Sequence, residues 1–384
     1  MIPLQDSASA ARHFTNIQMY DFIFVQWLDW MGTLRARCVP ANNFSHLMKQ
    51  EKLRFGISRG NLGTLQNDAS TPVSVPVGQI LVRPDLDSLR TMHQGKLPGA
   101  CASVLASFEE ADGTPVRLCP RSCLAETVDL LHNEFDIGFL IGFEIEVTFC
   151  RRVSNSDVTS FVPLDQNHAW ATLSDQQYIE SFPLMLKITQ ALSDAGISVQ
   201  QMHSEAGPGQ YEFVLSPLPP IQAVDTLVQA RQMVQHMAAA EGLRATFHPQ
   251  PFPGIGTACH VNISLNSDKS AETLESQQMS FMAGVLAHLP ALCAFTMPEQ
   301  ASYSRVVDDS WTSGTWVSWG THNREAPLRR VDTQDGLSAR WEIRCVDGLP
   351  NMYLVLHALV RAGLSGMHKR TEMMLKDCLR RSSL

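Results

Sequence analysis

Carboxylates, a histidine and arginines recur at every second position in three separated stretches of this 384-residue chain: Glu144-Ile145-Glu146, His260-Val261-Asn262 and Arg340-Trp341-Glu342-Ile343-Arg344. In an extended strand, residues i, i+2 and i+4 share one face. Each stretch therefore lines up polar groups on one side and apolar groups on the other, such as Val147 and Phe149, Ile263 and Leu265, or Trp341 and Cys345. A fourth segment, His203 to Phe213, carries Glu205 and Glu212 around a stiff Gly207-Pro208-Gly209 turn that can aim both acids into one pocket. Arg305, Arg324, Arg329, Arg340 and Arg344 crowd into a span of forty residues. The guanidinium fork suits phosphate and carboxylate bidentately. The flanks Phe139–Phe143 and Val147–Phe149 read as interior, and a buried carboxylate pair demands compensating charge. A divalent cation supplies it; Mg²⁺ takes oxygen ligands and Mn²⁺ also accepts imidazole. Together these groups point to a cation and phosphate site, and so to an enzyme.

Taken singly, each feature has a plainer explanation. Glu144 and Glu146 fit a solvated strand face, and Glu205 and Glu212 fit ordinary turn-flanking acids. A lone histidine such as His260 is more often a hydrogen-bonded core residue than a ligand. Gly254-Ile255-Gly256 fits a simple turn as well as a close approach of ligand to backbone. The arginine cluster resists such treatment better, because phosphoryl transfer needs little beyond positioning, metal ions and cations of this kind.

The elements that must hold these groups change character along the chain. Residues 19–40 read as two strands around Asp29–Gly32, residues 75–92 hold short strands, and 101–119 reads as a hairpin turning at Asp112-Gly113. From residue 120 strands alternate with helices. One starts at Pro120, one spans about 174–195 and is kinked or split by Pro183, and an amphipathic one spans 220–243; others cover 270–294 and about 350–380. A strand covers 139–149. The segregated polar strand faces predict an α+β layer with an antiparallel sheet.

Composition bounds the alternatives. With 44% hydrophobic and 18% charged residues, the chain is ordinary for a globular protein and not wholly disordered. The formal net charge of −8 and the absence of a long basic run disfavour a nucleic-acid partner. Nine scattered cysteines, an odd number, fit a reducing compartment better than a disulfide framework. The first residues hold no apolar core of signal-peptide length, and no uninterrupted apolar run approaches a membrane span. A cytoplasmic protein with no membrane partner is expected.

The segments FVQWLDWMGTLRARCVPA, GFEIEVTF, HSEAGPGQYEF, GTACHVNISL, WGTHNREAPLR and RWEIRCVDGLPNMYL, followed by AGLSGM, occur in this order. In that order they resemble the glutamine synthetase family from about residue 20 to about residue 368, and look most similar to the synthetase-like halves of fungal developmental proteins. The resemblance implies a β-grasp-like N-terminal domain (1–107). It also implies a catalytic α+β domain (108–384) with a curved antiparallel sheet backed by helices, short at its C-terminal end. It implies ATP, two or three Mg²⁺ or Mn²⁺ ions, a small carboxylate such as an amino acid, ammonia or an amine, and a ring-shaped homo-oligomer with shared active sites.

By the same resemblance, Glu146, Glu205 and Glu212 match the first metal's ligands, and Glu144, His260 and Glu342 those of the second. Arg305 and Arg344 match arginines that grip the amino acid, Arg324 and Arg329 those that stabilise the transferring phosphoryl group, and Arg340 one at the nucleotide. Gly256 matches a backbone position beside the substrate, and Asn262 a nucleotide-side position. The implied product is an amide formed through an acyl phosphate. Two family acids are missing: the ammonium-binding Asp has only Phe55-Gly56-Ile57-Ser58 near its place, and Trp311 stands at or near the flap glutamate. An amine other than ammonia is therefore expected. The alternatives are plain glutamate–ammonia ligation and a catalytically weak paralogue that regulates by binding. A creatine-kinase-like phosphotransferase lacks the Gly-Pro-Gly-Gln-Tyr-Glu loop.

Overall fold

The computed structural model describes residues 16–72, 74, 76–93, 95–153, 160–332 and 339–378, and the chain divides into two compact units, Met1–Ser122 and Cys123–Leu384. The first unit is a six-stranded sheet. Strands β1 (Phe22–Leu28) and β2 (Leu34–Pro40) pair antiparallel, and Gly32 with φ of 76° closes the turn between them. Asp29 fixes that turn by accepting the Thr33 N–H at 2.9 Å and Arg35 Nε at 3.0 Å. Strands β3 (Phe55–Ser58), β4 (Gln79–Pro84), β5 (Arg90–Thr91) and β6 (Cys101–Glu109) complete the order β2-β1-β6-β4-β3, with β5 on β6. Ile23, Val25, Phe44, Val104 and Phe108 form its core. The hairpin expected over 101–119 has only one full arm. Its return makes a single bridge, Glu109 to Pro115, flanked by bonds from Glu110 N to the Thr114 carbonyl and Val116 N to the Phe108 carbonyl, and then turns away as Cys119 N bonds the Val116 carbonyl.

The second unit holds a nine-stranded sheet: β7 (Gly138–Arg152), β8 (Phe161–Pro163), β9 (Val199–Ser204), β10 (Gln210–Leu215), β11 (Arg244–Thr246), β12 (Cys259–Asn266), β13 (Trp319–Thr321), β14 (Leu328–Asp332) and β15 (Ala339–Ile343). Its path is β13-β14-β15-β12-β7-β10-β9, with β8 and β11 on β7. Pairing is antiparallel except between β13 and β14. The 15-residue β7 is the spine, and its apolar residues Phe143, Ile145, Val147 and Phe149 are buried.

The helices from residue 120 onward are Pro120–Phe135, Phe182–Asp194, Pro220–Ala240, Ala271–Thr296, Gln300–Arg305 and Met352–His368 among the described residues. The expected split at Pro183 takes a definite form. A π-helical turn at Gln177–Ser181 precedes an α-helix whose first turn contains Pro183, where the missing N–H is harmless. The helix read over 350–380 ends at His368, and Arg370 has φ of 49°. The residues beyond run along β13, where the Asp377 carboxylate accepts the Thr321 N–H at 2.8 Å and the Leu375 carbonyl accepts Trp319 Nε1 at 2.9 Å.

The helix Ala271–Thr296 is long and apolar enough to cross a membrane by length and composition. Interrupting Gln, Ser and His residues hide this in the bare sequence. Half of its most apolar window is buried, including Phe281, Met282, Val285 and Leu286.

Candidate active site

Strand register assembles the site. Glu144 on β7 lies opposite His260 on β12, and Glu146 lies opposite Glu212 on β10. Glu212 in turn faces His203 on β9, while Asn262 faces Glu342 on β15, which faces Arg329 on β14. Six neighbouring strands thus bring acids, imidazoles and a guanidinium onto one sheet face. Gly256, Arg305, Trp311, Arg324, Arg340 and Arg344 join Glu144, Glu146, Glu205, Glu212, His260 and Arg329 around a cavity of about 1100 Å³. Asn262 and Glu342 lie in the wall behind it. Asn262 donates to Glu144 at 2.9 Å, and Glu342 is fully buried.

Contacts within the cluster are close. His260 Nδ1 stands 3.2 Å from Glu144, 3.3 Å from Glu342 and 3.8 Å from Glu146. Arg344 Nη1 donates to Glu342 at 2.5 Å. Arg329 Nε lies 2.5 Å from the other Glu342 oxygen without its N–H pointing along the contact, so that oxygen gains charge but no hydrogen bond. His203, absent from the sequence-derived site, places Nε2 3.2 Å from Glu212 and Nδ1 3.7 Å from Glu205. The ligand atoms of Glu144, Glu212 and His260 fall within 4.8 Å of one another, and so do those of His203, Glu205 and Glu212. Glu342, bonded to Arg344, and Glu146, bonded to Ala258 and Gln210, stand beside these two groups.

Those donors are precise. Glu146 accepts the Ala258 N–H at 2.8 Å and the Gln210 amide at 3.1 Å. The same Gln210 nitrogen donates to the Gly256 carbonyl at 2.8 Å, and its oxygen accepts the Gly207 N–H at 3.0 Å. Asp165 supports the turn from behind. It accepts from Gly209 N at 3.0 Å, Tyr211 Oη at 2.7 Å and Ser181 Oγ at 2.9 Å, all buried. Nothing in the spacing of Gln210 or Asp165 announces these roles; Gln210 had only its place inside the Gly-Pro-Gly-Gln-Tyr-Glu loop as a signal. Arg344 spends its guanidinium on protein acceptors, with Nε to the Arg324 carbonyl at 3.1 Å and Nη2 to the Trp311 carbonyl at 2.8 Å. Arg305 Nη2 binds the Val346 and Arg344 carbonyls, while its buried Nε has no hydrogen-bond partner.

The electrostatics favour a cation. Burial pushes the Glu146, Glu205 and Glu212 carboxyls up, and Glu212 adds to the rise at Glu205. At Glu144 burial acts in the same direction, but bonds from His260 and Asn262 and the charge of Arg329 outweigh it and hold the group well below the usual carboxylate range. The Glu212 bond raises His203 to about 8 against its burial. Three buried acids short of positive charge, beside two imidazoles, suit one or more hard divalent ions. The buried Asn262 Oδ1, which has no hydrogen-bond partner, adds an oxygen on the same face.

The glutamine synthetase catalytic-domain family model matches residues 117–377. The chain belongs to the glutamine synthetase family. Two curated relatives align along nearly all of it. Protein fluG of Emericella nidulans is 36% identical over 360 residues, which cover 93% of this chain and 40% of that protein. The gamma-glutamylpolyamine synthetase GlnA3 of Streptomyces coelicolor is 31% identical over 360 residues, covering 90% of this chain and 75% of the relative. The chain therefore spans well under half of the fungal relative's length. Among solved structures, one described as a novel glutamine synthase homolog superposes with a TM-score of 0.78 at 26% identity, over all of this chain and 86% of that one. The family's mixed α+β architecture and the sheet described above agree.

Proposed function

We propose that this chain is an ATP-dependent carboxylate–amine ligase that forms an amide through an acyl phosphate and prefers an amine to ammonia. The observation that carries it is the register across six strands, which with the turn after β9 sets Glu144, Glu146, Glu205, Glu212, His203 and His260 around one cavity walled by arginines. Glu146, Glu205 and Glu212, with His203 beside them, would hold one Mg²⁺ or Mn²⁺; Glu144 and His260, with Glu342 behind, would hold another. Bound there, such ions neutralise phosphate charge and polarise the transferring group.

The protein's own groups supply the rest. Arg324, Arg329 and Arg340 line the cavity; the first two would meet the charge that develops on the phosphoryl group, and Arg340 would meet the nucleotide. The bonds of Gln210 and Ala258 fix Glu146 in one orientation. Arg305 lines the cavity beside Gly256, where its charge would favour a substrate carboxylate, and Arg344 braces the wall.

Two features favour an amine. Phe55–Ser58 is strand β3 and contains no acid, and Trp311 exposes its indole at the cavity edge. The Streptomyces coelicolor relative, a gamma-glutamylpolyamine synthetase by name, supports the same class of nucleophile. An alkylammonium with a pKa of about 10.4 is neutral in only about one molecule in 10³ at pH 7, so freeing it costs roughly 4–5 kcal/mol. The family resemblance further suggests a ring oligomer and a cytoplasmic location.

The test is ADP release and amide analysis with Mg²⁺ or Mn²⁺, ATP, glutamate and a panel of amines that includes ammonium. Amine-dependent ADP release with amide product is expected. Efficient glutamine formation from ammonium favours plain glutamate–ammonia ligation, and no ATP turnover with any pair leaves the binding paralogue.

A further inference from the structure

Among the described residues, five carboxylates line the cavity: Glu144, Glu146, Glu205, Glu212 and Glu325. The first four share the sheet-face cluster with the two imidazoles. Glu325 lies outside that cluster, in the turn between β13 and β14 directly after Arg324; its backbone N–H is capped by Asn323 Oδ1 at 2.9 Å, and the residue makes a further interaction of its own. We propose that Glu325 is the base that receives the proton of the incoming ammonium, with the Trp311 ring as the other wall of that cation's seat. The assignment rests on the ligase reading above and names the group that serves its amine half-reaction.

The two residues are held together by the fold. Buried Arg344 donates to the Arg324 carbonyl and to the Trp311 carbonyl, so one guanidinium pins both segments. The tryptophan loop also closes on Glu325 itself: at Gly314, with φ of 62°, a Cβ would sit 2.6 Å from the Glu325 carbonyl oxygen. The loop is braced internally. Asp308 accepts the Thr315 N–H at 2.8 Å, and Thr312 Oγ1 accepts the Val307 N–H at 3.1 Å. Trp311 is 65% exposed on this fixed loop, so its ring face is available to a ligand. An aromatic face and a carboxylate flanking one space recognise an ammonium head with an alkyl stem.

The chemistry balances without a further reactant. The alkylammonium gives one proton to the Glu325 carboxylate. The freed nitrogen lone pair attacks the carbonyl carbon of the acyl phosphate, the C–N bond forms, and the C–O bond to phosphate breaks with its electron pair leaving on phosphate. The surplus proton on nitrogen goes to the departing phosphate, and Glu325 returns its proton to water.

The test compares two nucleophiles with the full-length protein, ATP, glutamate and Mg²⁺. Butylamine is charged at neutral pH and needs a base; hydroxylamine is uncharged there and does not. Glu325→Gln should lose about 10²-fold or more in butylamine turnover, the usual worth of a general base, while hydroxamate formation falls far less. Mn²⁺ affinity should stay the same, which separates the loss from damage to the cation cluster. Trp311→Ala should raise KM for butylamine more than it lowers kcat. Equal losses with both nucleophiles, or no loss with butylamine, would overturn the assignment. Failure of the unmodified protein to form hydroxamate would remove the ligase reading and this inference with it.

Discussion

Glu342 shows how one buried charge can hold a site together. It has no exposed surface, and its oxygens lie 2.5 Å from Arg329 and 2.5 Å from Arg344. Removing its charge leaves two buried guanidiniums facing each other. Glu342→Gln should therefore cost about 3–5 kcal/mol in urea unfolding, the range for breaking a buried pair by one partner. A loss within experimental error would mean that other groups balance the arginines. The acids toward the cavity behave oppositely. Glu146, Glu205 and Glu212 have raised pKa values in the fold, so their contribution to stability declines as pH climbs above the ordinary carboxylate range. His203 is raised from 6.5 to about 8, so its contribution is full below 6.5 and vanishes as pH rises through about 8. Both signs agree: without divalent ions, the melting temperature should fall between about pH 6 and about pH 8.5. Added Mn²⁺ should raise it more at the alkaline end, because the ion replaces both proton and imidazolium. A metal increment independent of pH would contradict this. Alternation of polar residues was enough to find Glu144, Glu146, His260 and Glu342, because strand geometry fixes which face they share. It could not find His203 or Glu325, whose significance comes from strand partners and a turn that spacing does not encode.

Among elements, the hairpin from β9 to β10 matters most, since it carries Glu205 and Glu212. Asp165 ties its turn, through Gly209 and Tyr211, to Ser181 in the π-helical turn. Asp165→Ala leaves a buried N–H and two hydroxyls without their acceptor. At about 1–3 kcal/mol for each unsatisfied buried group, a total loss of about 2–4 kcal/mol is expected, since the hydroxyls can rotate to other acceptors. The loosened turn should also weaken Mn²⁺ binding, which calorimetry would read. Unchanged affinity in a destabilised but folded variant would show that the turn positions itself. Proline and glycine marked several element ends correctly, at Pro120, Pro183, Gly196 and Pro220. They fail where a tertiary contact decides. Residues 369–378 carry no breaker, yet leave the helix to bond with β13.

At the scale of the molecule, the helix Ala271–Thr296 decides between a catalytic core and a membrane segment, since length and composition alone permit either. Its partner is the helix Met352–His368. At Gly284 a Cβ would lie 2.8 Å from Gly366 Cα, and at Gly366 one would lie 2.7 Å from Gly284 Cα. Two backbones this close need glycine at both positions. Phe281, Val285, Leu286 and Leu289 bury their side chains along the same helix, which a lipid-facing span would not require. The binary pattern hid this, because a helix buried on several sides shows weak periodicity. Gly284→Val should separate the pair and cost about 1–3 kcal/mol, as overpacking does in a filled core. The protein for this measurement would be purified without detergent and melted with and without ATP and Mg²⁺. Thermal unfolding should drop in both conditions, because the helix backs the unit that contains every candidate ligand. An unchanged melting temperature would show that Gly284 is not packed against Gly366, and the helix would then have to be sought outside the catalytic core.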